Sequence, residues 1–262
     1  MTIDTQKITQ LRELSGAGVA DCKAALEESG GDLNKAIEVL RKKGAIKAAK
    51  KSDRATKEGV IAQAKAGDKV ALVGLACETD FVALNEDFIK TVNEFAEELM
   101  IQGIEKFKAF ADAKIKNELV VKIGENIQLS FAEIISGKII ASYIHSNKKV
   151  AAVVVLSGGK EDLALELAMQ VTAMSPKYIK PEEIPLAEIE KEKEVYREQL
   201  KAEGKPEAMW EKIMLGKLNK YYQDVCLLKQ AFIKDDKISI EQLIKNQGGD
   251  IEVIKFSRFQ IQ

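Results

Sequence analysis

The feature that most restricts the fold is a short apolar segment, 69–76, followed at once by a charged junction and a helical pattern. The segment is nearly continuous in apolar residues and partly β-branched, which predicts a strand buried on both faces. After the junction, apolar residues recur at helical spacing from Phe88 to Leu99, which predicts a helix. A buried strand that leads directly into such a helix indicates a sheet with helices packed against it.

The junction itself, Cys77–Phe88, combines acidic residues with an aromatic one. Thr79 or Asp80 stands where a helix N-cap is expected, and several carboxylates lie near the positive end of the helix dipole. Phe81 has two interpretations: a hydrophobic staple that folds the junction down, or an exposed anchor for a partner's pocket. Spacing alone favours the staple but does not decide between them.

The pattern of a hairpin followed by a helix occurs twice, which predicts a duplicated α+β core with antiparallel sheets. In the first copy, the strands 59–62 and 69–73 are joined by a turn at Gly67-Asp68 and followed by a helix at 85–100. In the second copy, the strands 137–140 and 148–156 are joined by a turn at Ser146-Asn147 and followed by a helix at 161–174. The second copy has Ser157–Lys160 where the first has its acidic-aromatic junction. A plain turn does not need Phe81, so this difference favours the exposed anchor.

The ends of the chain differ from the core. Residues 1–45 predict three short helices, and the Lys-rich segment 41–54 is interpreted as a solvated helical tether in preference to a nucleic-acid patch. Residues 186–228 predict a projecting antiparallel coiled-coil hairpin, and the tail predicts a short helix at 240–245 and a closing strand at 251–261. The chain is therefore predicted to divide into five segments. They are the three helices with the basic segment (1–54), the two halves of the core (55–136 and 137–185), the helical hairpin (186–228) and a C-terminal segment that returns to the core (229–262).

Composition excludes several classes of function. The chain has 40 basic and 41 acidic residues, so nucleic acid as the main ligand is disfavoured. Three widely spaced cysteines indicate reduced thiols and a cytoplasmic location, and neither a signal pattern nor a membrane-length apolar run is found.

No residue pattern supports bond-making chemistry, so we expect a protein that is not an enzyme and has no cofactor or metal. His145 is the only histidine and has no evident nucleophile near it in sequence. Gly-rich phosphate loops and metal-ligand spacings are also absent from the sequence, and direct nucleotide binding is therefore not expected.

Several motifs, in this order, resemble the bacterial translation elongation factor Ts family. They are Leu11-Arg12-Glu13, Gly16–Leu26, Gly31-Asp32, Thr79-Asp80-Phe81-Val82-Ala83 and Lys122-Ile123-Gly124-Glu125-Asn126. The resemblance implies a guanine-nucleotide exchange factor for elongation factor Tu. It also implies that the first helices form a ubiquitin-associated-like bundle, and that 186–228 is the family's coiled-coil module.

The resemblance also implies roles for particular residues. A wedge of Asp80 and Phe81, held by Thr79 and Val82, would disturb the partner's magnesium site. The other implied contacts are Arg12, Val19, Ala20, Ile123, Gly124 and His145. Two departures from the family are a Val19-Ala20 pair where methionines often occur, and a short tail after Phe259.

Two further functions stay open on the residues alone. The first bundle could make the chain a scaffold that binds a partner without changing its nucleotide, and the basic segment 41–54 could make it an RNA-associated protein. An exposed sheet or hairpin could also support a homodimer.

Overall fold

A computed structural model describes residues 4–261, apart from the side chains of residues 45 and 47–49. The chain divides into two compact units. One unit contains the chain up to Ile135 with Ser146–Val150 and the C-terminal residues from Gln260; the other contains Ser136–His145 and Ala151–Phe259. Helices and antiparallel hairpins occur in both units, which confirms the predicted α+β class.

The first unit begins with three helices, α1 (Thr5–Ser15), α2 (Val19–Glu28) and α3 (Leu33–Lys51). Side chains start two of them, because Asp4 accepts a hydrogen bond from the backbone N–H of Gln6 and Asp32 accepts one from that of Lys35, each at 3.0 Å. Gly16 ends α1 in the left-handed conformation. The helices enclose their own apolar core of Leu11, Ala17, Cys22, Ala25, Leu26, Ala36 and Leu40.

The prediction of a solvated tether at 41–54 is wrong in one respect. The segment is helical as far as Lys51, but it continues α3, and Gly44 is buried, one turn after the core residue Leu40. A Cβ on Gly44 would overlap Cγ2 of Val121, so the helix packs closely against the segment that contains Val121. Lys51 also donates a hydrogen bond to the carbonyl of Gly124. Lys47, one of the lysines of this segment, has its side chain outside the described part of the structure.

The first sheet has the order β1 (Glu58–Ala66), β2 (Lys69–Cys77) and β3 (Gln128–Ser136). β1 and β2 form the predicted hairpin, with Glu58 opposite Cys77 and Ala66 opposite Lys69. Every residue of β2 after Lys69 is buried, which confirms the prediction for this strand.

Four helices and a π-helical turn connect β2 to β3 in the first unit. They are α4 (Asp80–Ala83), α5 (Glu86–Gln102), α6 (Ile104–Lys114), the π turn (Ile115–Leu119) and α7 (Val120–Ile123). The apolar face of α5 lies in the core with the sheet, as predicted from its spacing. Phe95 of α5 and Phe107 of α6 meet edge to face, with ring centroids 5.9 Å apart.

The second unit repeats the hairpin and helix. Its sheet has the order β4 (Ile139–Ile144), β5 (Val150–Leu156) and β8 (Val253–Gln260), and α8 (Glu161–Met174) packs on it. α11 (Ile240–Asn246) and β8 confirm the helix and strand predicted for the tail. A small hairpin was not predicted: β6 (Ala231–Phe232) has two residues, and β7 (Asp235–Ser239) begins with three exposed polar ones. Neither strand therefore has the alternating pattern that identifies strands in a sequence.

Residues 186–228 contain the predicted pair of helices, α9 (Leu186–Ala202) and α10 (Trp210–Val225). Leu200, Leu218 and Val225 are the buried apolar residues of these two helices. The projecting coiled-coil arrangement stays a prediction.

One carboxylate joins both helices to the segment before them. Glu188 of α9 accepts a hydrogen bond from the hydroxyl of Tyr178 at 2.7 Å and from that of Tyr221, on α10, at 2.6 Å. The Tyr221 hydrogen bond, and then the Tyr178 bond, stabilise the charged carboxylate and hold the pKa of Glu188 below its usual range.

This lowered pKa predicts a pH-dependent contribution to stability. An ionised Glu188 stabilises the fold above the pKa of an unfolded glutamate, about 4.3, and this contribution is lost as the pH falls through the lower folded pKa. We expect Glu188→Gln to reduce the free energy of unfolding most at neutral pH, and the difference from wild type to shrink in acid. Urea unfolding between pH 3 and 7 measures it. Glu194→Gln, at an exposed position of the same helix, is the control. A difference that is constant with pH would contradict the assignment.

Candidate partner-binding site

The candidate site is the junction loop, which we define as residues 78–84, between β2 and α5. Two side-chain caps fix its ends. The hydroxyl of Thr79 accepts a hydrogen bond from the N–H of Val82 at 3.4 Å, and the amide oxygen of Asn85 accepts one from the N–H of Phe88 at 3.2 Å. The first cap starts α4 and the second starts α5. The sequence therefore builds a separate one-turn helix, α4, that presents Asp80 and Phe81.

Phe81 is 83% exposed, which makes the staple interpretation wrong. The core beneath the loop is already filled by Ala83 and Phe88, and Val82 packs against it. Leu84, three residues after Phe81, is 75% exposed as well. Because residues three apart lie on one side of a helix, the two side chains form an apolar pair that faces solvent. This exposed apolar pair is available for contact with a partner, as an aromatic anchor requires.

The structure brings Ile123 to the junction loop. Phe81, Val82 and Ile123 line one pocket of about 360 Å³, whose other lining residues are Asn85, Asp87, Phe88, Thr91, Leu119 and Lys122. Gly124 follows Ile123 in the left-handed conformation, with φ of 81°, and ends α7. Five of the predicted site residues, Thr79–Val82 and Ile123, are thus grouped around α4, with Gly124 next to them in the chain.

A pair of segments, 78–79 and 125–126, holds the base of the loop through side-chain carboxylates. Glu125 accepts hydrogen bonds from the backbone N–H groups of Glu78 and Thr79 at 3.0 and 3.1 Å and from the Thr79 hydroxyl at 2.6 Å. In return, Glu78 accepts one from the N–H of Asn126 at 2.6 Å. Sequence reasoning missed this role of Glu125 and Asn126; the available signal was a polar pair directly after Gly124 and just before the apolar residue Ile127.

The three predicted contacts of the helical bundle are at the surface of the first unit. Arg12 is exposed on α1, while Val19 and Ala20 are exposed at the start of α2. Between them, Gly16 approaches Lys122: a Cβ on this glycine would lie 3.0 Å from Cγ of the lysine. The α1–α2 connection therefore packs beside α7, which carries Ile123.

His145 belongs to the second unit. It follows β4 and is exposed, and its Nδ1 lies 3.4 Å from the hydroxyl of Tyr143.

In the described part of the chain, no group of three or more His, Cys, Asp and Glu side chains is placed to hold a metal ion. All three cysteines are buried free thiols, and burial raises the pKa of Cys77, next to the loop, to about 12, so it is a poor nucleophile. None of the described helices is long and apolar enough to cross a membrane.

Comparisons with known proteins agree with the resemblance predicted from the motifs. A family model described as "Elongation factor TS" matches residues 78–262. The elongation factor Ts of a Hydrogenobaculum species is 40% identical, over all of this chain and 99% of that protein. The proteins of the same name from Aquifex aeolicus and Deinococcus radiodurans are 38% and 39% identical and cover 100% and 98% of the chain, with 98% of each relative covered. The chain belongs to the elongation factor Ts family.

Proposed function

We propose that this protein is the guanine-nucleotide exchange factor of translation elongation factor Tu and acts in the cytoplasm. Membership of the family supports the partner and the process. The observation that carries the mechanism is the exposure of Phe81 on a short helix, α4, that a Thr79 cap starts and that the Asn85 cap of α5 directly follows. A rigidly presented aromatic side chain is the kind of residue that dominates binding energy in a partner's pocket.

Exchange needs no bond chemistry in this protein. A GTPase holds GDP through backbone donors and a magnesium ion, and a factor that binds the nucleotide-free state more tightly weakens GDP by the same ratio. In the proposed mechanism, Phe81 enters an apolar pocket between helices of the partner's nucleotide domain. Asp80, beside it, adds a negative charge near the magnesium site. GDP leaves, and the factor remains bound until GTP enters.

The other predicted residues extend this contact. Arg12, Val19 and Ala20 would dock the ubiquitin-associated-like bundle on the nucleotide domain. Ile123 and Gly124 would contact the partner beside Phe81, since Ile123 shares its pocket. His145 would contribute from the second unit, and the helices α9 and α10 would form the coiled-coil module. The exposure of Arg12, Val19, Ala20 and His145 supports these assignments.

Release of a fluorescent GDP from the cognate elongation factor Tu tests the proposal. Excess unlabelled nucleotide is added with and without this protein, and the fluorescence decay gives the release rate. We expect substoichiometric amounts of the protein to accelerate release, because one molecule serves many partners in turn. Binding without acceleration would contradict exchange and leave the scaffold function. Binding of RNA that weakens steeply with salt would instead support the RNA-associated function, which the net charge of −1 disfavours.

A further inference from the structure

The contacts beneath the junction loop form a continuous hydrogen-bonded chain from the end of α3 to α4. Asn126 is 3% exposed, and its side-chain amide donates to the carbonyls of Arg54, at 2.8 Å, and Ser52, at 3.3 Å. Its backbone N–H is bound by Glu78, and the adjacent Glu125 binds the backbone of Glu78 and Thr79. The loop is therefore held at its base by side chains from a segment more than forty residues away.

The Thr79 hydroxyl is the point at which this chain reaches α4. A hydroxyl has one hydrogen to donate and lone pairs with which to accept. Because Thr79 donates its hydrogen to Oε1 of Glu125 at 2.6 Å, a lone pair is left for the N–H of Val82. An ionised carboxylate can only accept, so it fixes the direction of the hydroxyl. The cap of α4 therefore depends on Glu125.

Phe81 has little packing of its own to fix it, since it is 83% exposed. Its direction is determined by the backbone of α4, which has only four residues and cannot form a stable helix without its caps. The pocket beside Phe81 is lined by Ile123, two residues before Glu125. One carboxylate thus ties the presented aromatic to the neighbouring surface.

We infer that Glu125 is a positioning residue for nucleotide exchange, acting through Thr79 on Phe81. This inference rests on the proposed function. Glu125 holds the loop in its binding-competent form before the partner arrives, so that binding energy is not used to order the loop. Without the carboxylate, Phe81 remains in the chain but is presented in several orientations, and the partner selects only one of them.

The central variant is Glu125→Gln, which keeps the shape of the side chain. Its amide can bind the two backbone N–H groups through oxygen, but its NH2 group then faces the Thr79 hydroxyl and makes it accept. The loss of charge-assisted hydrogen bonds is expected to slow GDP release at saturating factor by about tenfold. Thr79→Val should reproduce this loss and Thr79→Ser should retain activity, because only the second keeps a hydroxyl. Glu241→Gln, which removes a carboxylate paired with Lys229 and Lys245, is the matched control.

A double variant separates positioning from a general loss of stability. If Glu125 acts through Phe81, Glu125→Gln should add no further loss of rate to Phe81→Ala. The inference would be overturned if the double variant lost rate by the product of the two single losses. It would also be overturned if Glu125→Gln released GDP at the wild-type rate at saturating factor. Thermal unfolding identifies a variant that fails to fold, and the Thr79 pair then supplies the comparison.

Amide hydrogen exchange in the free protein gives a readout that does not need the partner. The N–H groups of Val82 and Ala83 are bound by Thr79, through its hydroxyl and its carbonyl. Glu125→Gln should speed their exchange by about tenfold, while the amides of β2 stay protected. Unchanged exchange at both residues overturns the inference whatever the release assay shows. If the wild-type protein does not accelerate GDP release, the proposed function is wrong. If the wild-type protein accelerates release and Glu125→Gln does so equally well, only the role of Glu125 is wrong.

Discussion

Replacing Phe81 with Ala should slow stimulated GDP release by about 30-fold or more, the effect of losing a side chain worth at least about 2 kcal/mol at an interface. The free energy of unfolding of the free protein should barely change, because the side chain is 83% exposed and its removal uncovers little apolar surface. We further expect the loss of rate to exceed the loss of affinity for nucleotide-free elongation factor Tu. Phe81 would then contribute more to the coupling between factor binding and GDP release than to the affinity of the complex.

The measurements are fluorescent GDP release, binding to nucleotide-free partner, and urea unfolding of the factor alone. Ile101→Ala is the matched control, because Ile101 is 78% exposed in the last turn of α5, outside the pocket at the junction loop. It should leave all three quantities unchanged. If Phe81→Ala lowered the GDP release rate and the affinity for the nucleotide-free partner by equal factors, Phe81 would contribute to affinity alone. A loss of stability of several kcal/mol would contradict the exposed position of Phe81.

Replacing Phe95 with Ala should lower the free energy of unfolding by about 3–5 kcal/mol, the usual cost of a large cavity in a core. Phe95 is fully buried in α5, and its ring lies 5.9 Å from that of Phe107 and 5.6 Å from that of Phe110. The truncation removes both aromatic contacts and leaves a space that the sheet and helices cannot close. Urea unfolding monitored by circular dichroism gives the change, and Phe95→Leu should cost less because it fills part of the space. A loss below about 1 kcal/mol would mean that the site collapses freely.

The two Phe→Ala variants together separate folding from function. Phe95→Ala should exchange nucleotide at a near-normal rate at temperatures where it remains folded, since Phe95 is in the core. Phe81→Ala should stay folded and lose exchange. The same substitution therefore has opposite consequences at two positions only fourteen residues apart, and only their environments differ.

Local patterns were enough for most of the framework. The apolar segment that became β2, the glycine turn at Gly67-Asp68 and the helix α8 were all predicted, because their signals come from neighbours in the chain. The junction loop stood out through its acidic-aromatic sequence, and its role in binding a partner, which the family resemblance implies, stays a prediction. Helical spacing did not decide whether Phe81 points inward, because it specifies a face and not what covers that face, whereas the comparison with the second copy favoured exposure.

The sequence by itself determined the position of most helices and strands, since periodicity, caps and turn residues act within a few positions. Only the tertiary structure decided that Gly44 is buried against Val121, that Glu125 holds Thr79, and that Phe81 is exposed. The first two depend on a segment distant in the chain, the α7 region for Gly44 and residues 125–126 for the loop, and the third depends on the filled core beneath α4. Contacts of that kind are made only when the chain has folded, so no local pattern records them.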